Sequence, residues 1–162
     1  MIFGKTLSYW GEKIGGEIAG AIVFCVILLI NPFFSHWRPF IVAFPPIGVS
    51  AFGFLLTFLS IILQGNSKTI ERMMNRDKLY NKFIDFNKRI VIISLILSLY
   101  SYAIGYSDLQ IIHDLFSSEM VRIIENVLIG TFCGLFVWFV IDTFHFTRLF
   151  YILIRVNNKK ES

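Results

Sequence analysis

The chain has 162 residues, of which 56% are hydrophobic and 16% charged, with a mean hydropathy of +0.68 and a net charge of +4. Ordinary soluble domains are about 25% charged, and small ones leave much of their surface in water. The composition therefore excludes soluble, disordered, collagen-like and disulfide-rich classes. It predicts an all-α, polytopic membrane protein that is embedded in the lipid bilayer.

Four apolar stretches follow one another along the chain. Each approaches the ~20 residues that a helix needs to cross a ~30 Å hydrocarbon core. The predicted spans are about 15–34, 40–63, 90–106 and 123–142, with a charged loop at 64–89 and a tail at 143–162. The sequence thus predicts a single domain over residues 1–162, a bundle of four transmembrane helices.

Lysine and arginine positions predict the orientation of this bundle. Thirteen of the 15 basic residues fall in the N-terminal segment, the 64–89 loop and the tail, which share one side of a four-span arrangement. Only Arg38 and Arg122 fall on the other side. Because basic residues are retained on the cytoplasmic side of membrane proteins, we expect both termini and the loop in the cytoplasm.

Small residues spaced four apart predict close helix packing in the first and fourth spans. In lipid, helices associate where small residues let their backbones approach. Such contacts form within one chain or between copies, and two such helices in so small a bundle favour a homo-oligomer. The pairs are Gly11 with Gly15 and Gly16 with Gly20 in the first span, and Gly130 with Gly134 in the fourth.

The second span contains Pro45 and Pro46. Proline removes a backbone donor and disfavours helix at the residue before it, and such interruptions build binding sites from broken helices in transporters. The alternative is a kink, or a helix that begins near Pro46 and still keeps 18 residues up to Leu63. We favour this second interpretation because those residues nearly suffice to span.

The 64–89 loop predicts a basic amphipathic helix. Ser67 is a candidate N-cap with Glu71 in the first turn, and apolar side chains recur behind it at helical spacing. Such a helix binds anionic headgroups or a cytoplasmic protein partner. Nucleic-acid binding is not predicted, because no nucleic-acid-binding fold accompanies the charge. The apolar residues are Ile70, Met73, Met74, Tyr80 and Ile84, and the basic ones are Lys68, Arg72, Arg76, Lys78, Lys82, Lys88 and Arg89.

Polar side chains inside the spans are the candidate functional residues. Ser94, Ser98 and Ser101 share one helical face, where they line a polar path or, as we favour, form hydrogen bonds with backbone carbonyls. Glu17, Glu125, Asp142 and His145 are ionisable, and their burial costs free energy. Glu17 is the first choice because it lies between glycines, although pairing with Lys13 would explain it too. Asp142 with His145 is the second.

No motif of an enzyme class is present. The chain lacks GxSxG, HExxH, P-loop and CxxC patterns, and its cysteines and histidines have no ligand spacing. The sequence therefore predicts a protein without catalytic, cofactor or metal sites. A fourth helix over 119–156 would measure about 57 Å, so its cytoplasmic end is expected to reach a partner.

The run from Gly53 to Ile62, followed by Asn66 and Ile70-Glu71-Arg72, resembles a pattern in small bacterial four-span proteins, some of them from anti-phage defence loci. The membrane subunit of Kiwa-type systems is the nearest named resemblance. It implies a bacterial inner-membrane oligomer coupled to a cytoplasmic partner, and it transfers no functional residue. The leading hypothesis is a non-enzymatic scaffold or sensor subunit. The alternative is a small oligomeric pore whose path is lined by the serines or by Glu17.

Overall fold

The computed structural model describes residues 3–30, 32, 34–64, 77–107 and 116–158. They form four helices, which confirms the all-α class: α1 (Phe3–Ile30), α2 (Phe34–Gln64), α3 (Asp77–Tyr106) and α4 (Ser118–Asn158). Three contain apolar segments long enough to cross a membrane, at Ser35–Thr57, Asn81–Tyr106 and Ser118–Tyr151. The apolar segment of α1, Ile14–Ile30, is shorter.

The boundary between α1 and α2 differs from the prediction. The first span is predicted to continue to Phe34, but α1 ends at Ile30 and Phe34 begins α2. Pro32 lies between the two helices, and a proline disfavours helical geometry at the residue before it. Only three residues therefore connect α1 with α2.

Of the two forms of the favoured interpretation, a kink or a late start near Pro46, the structure excludes the late start. Helix α2 begins at Phe34 and runs through Pro39, Pro45 and Pro46. Pro45 has no backbone N–H, so it cannot donate the helical hydrogen bond to the carbonyl of Ile41, four residues earlier. In this structure the Ser101 hydroxyl of α3 donates a hydrogen bond to that carbonyl. The neighbouring helix therefore replaces the donor that the proline removes.

Helix α3 begins well before the predicted third span. The sequence predicts a separate amphipathic helix within the 64–89 loop and a span from about residue 90, but α3 starts at Asp77 and continues without a break to Tyr106. Lys78, Lys82, Lys88 and Arg89 therefore belong to a membrane-length helix. The earlier part of the predicted amphipathic helix, with its Ser67 cap and its residues Ile70, Met73 and Met74, lies outside the described residues.

Helix α4 is the long helix that the sequence predicts. It has 41 residues, or about 62 Å at ~1.5 Å per residue, so it exceeds the thickness of a membrane core. The negative charge of Glu119 in the first turn interacts favourably with the positive end of the helix dipole. Most of the segment predicted as a tail, beyond residue 142, is thus helical.

The helices pack in the order α1, α4, α3, α2, and each neighbouring pair is antiparallel. Gly20 of α1 meets Gly134 of α4, while Phe83 of α3 stacks on Phe146 of α4 with ring centroids 4.8 Å apart. The start of α1, the start of α3 and the end of α4 consequently share one end of the bundle, which we call the basic end. One apolar core lies toward this end, around Leu55, Phe83, Phe86, Ile90, Val91, Phe146 and Leu149.

Candidate functional site: an ion cluster joining three helices

Arg89 of α3 joins two carboxylates from two other helices. Its Nη2 lies 3.4 Å from Oε1 of Glu17 in α1 and 3.1 Å from Oδ2 of Asp142 in α4. We call Glu17, Arg89 and Asp142 the ion cluster. The sequence singles out both acids, but it assigns Arg89 to a headgroup-binding or partner-binding loop, whereas the structure places Arg89 between the helices.

Asp142 is the fully buried member of the ion cluster. Its Oδ2 accepts a hydrogen bond from Nε1 of Trp138, one turn earlier on α4, at 3.0 Å. Its Oδ1 has no hydrogen-bond partner and lies against Gly16, where an added Cβ would stand 2.8 Å away. Gly16 therefore lets α1 approach closely enough to cover this carboxylate.

The two ion pairs have unequal surroundings. The Glu17 side chain is 47% exposed and that of Arg89 is 24% exposed, whereas the Asp142 side chain is 0% exposed. Exposed pairs contribute about 0–1 kcal/mol, but removing one partner of a buried pair is strongly destabilising. The Arg89 guanidinium also lies over the ring of Trp138, 5.8 Å from its centroid. Arg89 is thus held more firmly to α4 than to α1.

His145 does not pair with Asp142 among the described contacts. Its Nδ1 donates to the Ile141 carbonyl at 2.9 Å, and its ring stacks on Phe86 with centroids 6.0 Å apart. The hydrogen bond of Asp142 comes from Trp138 instead. His145 therefore packs between α3 and α4, one turn beyond the ion cluster.

The glycine pairs of α1 and α4 meet each other within one chain. A Cβ on Gly20 would lie 2.6 Å from the Gly134 carbonyl oxygen, and one on Gly134 would lie 2.8 Å from the Gly20 carbonyl oxygen. Gly16 faces Trp138, and Gly130 faces Phe24. We call Gly16, Gly20, Gly130 and Gly134 the glycine seam. By contrast, a Cβ on Gly15 would have no neighbour within 4 Å.

The three serines of α3 are buried, and each donates a hydrogen bond to a backbone carbonyl. Ser94 donates to Val91 at 2.9 Å, Ser98 donates to Ser94 at 2.6 Å, and Ser101 donates to Ile41 of α2. A Cβ on Gly48 would overlap the Ser98 hydroxyl. The serine face therefore packs α3 against α2 at Ser98 and Ser101.

The other predicted residues lie elsewhere on the helices or outside the described part of the chain. Lys88 is exposed on α3, Lys82 is half-buried, and Glu125 is half-buried near the other end of α4. Lys78 and Gly11 lie within helices, but their surroundings are not described. Lys68, Arg72 and Arg76 lie outside the described residues.

Asn87 and Trp138 are two buried or partly buried polar residues that the sequence pattern does not predict. Asn87 is fully buried in α3, and neither its side-chain oxygen nor its nitrogen has a hydrogen-bond partner. Trp138 binds Asp142 from one turn away, a spacing that the sequence already contains.

Comparisons of the chain with protein-family models, with curated proteins and with solved structures find no significant match. The family resemblance suggested by residues 53–72 therefore gains no support from them. A function for this chain has to follow from its own residues and their arrangement.

Proposed function

We propose that the chain crosses the membrane four times, with both termini and the α2–α3 connection in the cytoplasm of a bacterium. The antiparallel packing supports this topology, because it puts the start of α1, the start of α3 and the end of α4 at one end of the bundle. Of the ten basic residues that the structure describes, eight lie in the helix segments toward this end and two, Arg38 and Arg122, lie toward the other. Basic segments are retained in the cytoplasm, so the basic end faces inward.

The short apolar segment of α1 is compatible with a fourth span. The whole helix has 28 residues, or about 42 Å, which exceeds the ~30 Å hydrocarbon core. Its apolar segment, Ile14–Ile30, contains Glu17, so a span of membrane length in α1 includes this carboxylate. Pairing with Arg89 lowers the cost of placing Glu17 near the membrane interface.

Cysteine accessibility tests this topology. In a background where Cys25 and Cys133 are serine, a cysteine at Ser107 is expected to react with a membrane-impermeant maleimide in intact cells. A cysteine at Asn158 is expected to react only after permeabilisation, because the two positions lie at opposite ends of the bundle. Labelling of both positions from the same side would contradict the four-span topology.

Within this topology we propose a non-enzymatic scaffold or sensor subunit that docks a cytoplasmic protein. The observation that carries the proposal is the extension of α3 and α4 past the ion cluster. There Phe83 stacks on Phe146 and lies 6.3 Å from Phe150, so the two helices stay paired toward the basic end. This pair, with the basic connection before it, offers a cationic surface to an acidic partner. On the resemblance of residues 53–72 alone, we propose anti-phage defence as the biological setting.

A homo-oligomer is part of the same proposal. The glycine seam is used within the chain, and among the glycines of α1 whose surroundings the structure describes, Gly15 has open space around it. The face of α1 turned away from α4 exposes Ile18, Ile22 and Leu29. The pore alternative finds less support, since the three serines proposed to line its path donate to backbone carbonyls instead.

Charge reversal tests the docking surface. Arg72, Arg76 and Lys82 replaced together by glutamate are expected to reduce at least tenfold the amount of a cytoplasmic protein that cross-links to the wild-type chain in cells. The physical reason is that like charges repel an acidic partner. Membrane insertion, read by the cysteine assay, is expected to stay unchanged.

The matched control reverses Arg38, an exposed basic residue at the opposite end of α2. This variant is expected to retain the cross-linked protein at the wild-type level. Equal recovery from the triple variant and from wild type would remove the basis for a docking surface at the basic end.

A further inference from the structure

Two exposed arginines bound the membrane-crossing part of α4. Arg122 and Arg148 are 26 residues apart, a separation of about 39 Å along a helix that rises ~1.5 Å per residue. A bilayer measures ~40–45 Å when its headgroup layers are included. The charged side chains between the two arginines, Glu125 and Asp142, are half-buried and buried. When Arg122 lies in one headgroup layer, Arg148 therefore lies in the other.

Two aromatic rings flank Arg148 on the same face of α4. Phe144 lies one turn before it and Tyr151 one turn after it, and each of these two residues is 68% exposed. Residues three or four apart share a helix face. Tyrosine is enriched at the level of lipid headgroups, where its ring contacts apolar chains and its hydroxyl contacts polar groups. We call Phe144, Arg148 and Tyr151 the headgroup face.

The guanidinium of Arg148 is available to an anionic ligand. Arg148 is exposed, and it forms no ion pair with a residue that the structure describes. The carboxylates of Glu17 and Asp142 are paired with Arg89 instead. A guanidinium can donate two parallel hydrogen bonds to one phosphate, and a basic residue at the membrane surface is attracted to anionic lipids. A lipid phosphate at the same depth would supply the counter-charge.

We propose that the headgroup face binds an anionic phospholipid. The lipid phosphate pairs with Arg148, the Tyr151 hydroxyl donates a hydrogen bond to the headgroup, and the upper part of an acyl chain lies along Phe144. The bound lipid holds α4 at a fixed depth in the bilayer. The inference rests on the proposed membrane location of the chain, but not on which end is cytoplasmic or on a docking partner.

Photocross-linking in lipid nanodiscs identifies the molecule that covers this face. p-Benzoylphenylalanine replaces Phe144 in the full chain, and the nanodiscs contain phosphatidylglycerol and phosphatidylcholine in equal amounts. Intact-mass spectrometry is expected to show about fivefold more adduct with phosphatidylglycerol, the preference that one basic residue confers at an anionic surface. Arg148→Gln is expected to make the two adducts equal in amount. Its thermal midpoint is expected to stay unchanged, because the arginine is exposed.

The matched control is Lys88→Gln, which removes an exposed positive charge from α3 toward the same end of the bundle. It is expected to keep the preference for phosphatidylglycerol, because the proposed site depends on Arg148 and not on general surface charge. Equal adducts with the two lipids in the parent, an unchanged preference in Arg148→Gln, or the same loss in Lys88→Gln would each overturn the proposal.

The identity of the adduct separates the lipid from other occupants of this face. A cross-link to a second copy of the chain, or to a cytoplasmic protein when the same variant is irradiated in intact cells, would also overturn the proposal. Both leaflets of a nanodisc have the same lipid composition, so the result does not depend on the orientation of the bundle. Failure here would leave the four-span topology standing, since the cysteine assay tests that topology separately.

Discussion

Replacing Arg89 by alanine is expected to destabilise the bundle by about 3–5 kcal/mol, because the buried Asp142 carboxyl would lose its counterion. The Asp142 side chain is 0% exposed, and its remaining hydrogen bond comes from the neutral donor of Trp138. Thermal unfolding in detergent, followed by circular dichroism, measures the loss. The effect is larger than any expected for an exposed basic residue of the same helix.

The second variant, Asp142→Asn, identifies the cause. In combination with Arg89→Ala it is expected to restore part of the lost stability, since an asparagine needs no counterion and still accepts from Trp138. Lys88→Ala, an exposed position next to Arg89, serves as the control and is expected to change the midpoint little. A double variant whose loss equals the sum of the two single losses would show that Arg89 and Asp142 do not interact.

Gly20→Ala is expected to destabilise the contact between α1 and α4 by about 1–3 kcal/mol, the usual cost of overpacking. The added methyl would stand 2.6 Å from the backbone oxygen of Gly134, and a backbone atom has no rotamer that relieves the clash. The two helices would have to separate. Two measurements test this expectation. The thermal midpoint should fall, and the distance between spin labels on cysteines at Ile18 of α1 and Val140 of α4, both exposed, should increase.

Gly15→Ala is the matched control for Gly20→Ala. It makes the same change in the same helix, but its added methyl would have no neighbour within 4 Å. Alanine is also the better helix former by about 1 kcal/mol, so this variant is expected to be neutral or slightly more stable. Equal destabilisation by both variants would mean that helix propensity or oligomer contacts, rather than the glycine seam, decide the result.

The serines of α3 show which part of a helix contact can be predicted from sequence spacing and which part cannot. Spacing alone puts Ser94, Ser98 and Ser101 on one face, and the same spacing leaves open whether that face lines a path or a helix contact. The answer depends on Pro45, since the carbonyl that it leaves without a helical donor is the one that Ser101 reaches. These two residues are 56 positions apart, and no local pattern links them.

Arg89 shows the opposite situation, in which local context misleads. Six other basic residues precede it in the 64–89 segment. A basic segment next to an apolar run is typical of a headgroup-binding loop. A helix that begins at Asp77 turns Arg89 toward α1 and α4 instead. Where a helix starts depends on tertiary packing, here of Phe83 and Phe86 on α4, as much as on local propensity.

The sequence by itself determined that this is an all-α protein with membrane-length apolar helices and an uneven distribution of basic charge, because hydropathy and charge are sums over residues that need no partner. The glycine spacing and the intramembrane acids were also readable as candidates. Only the tertiary structure decided which glycines meet, which donor replaces the one that Pro45 lacks, and which cation pairs with Glu17 and Asp142. Those contacts join residues far apart in the chain, and their free energies depend on burial and distance that arise only once the helices pack.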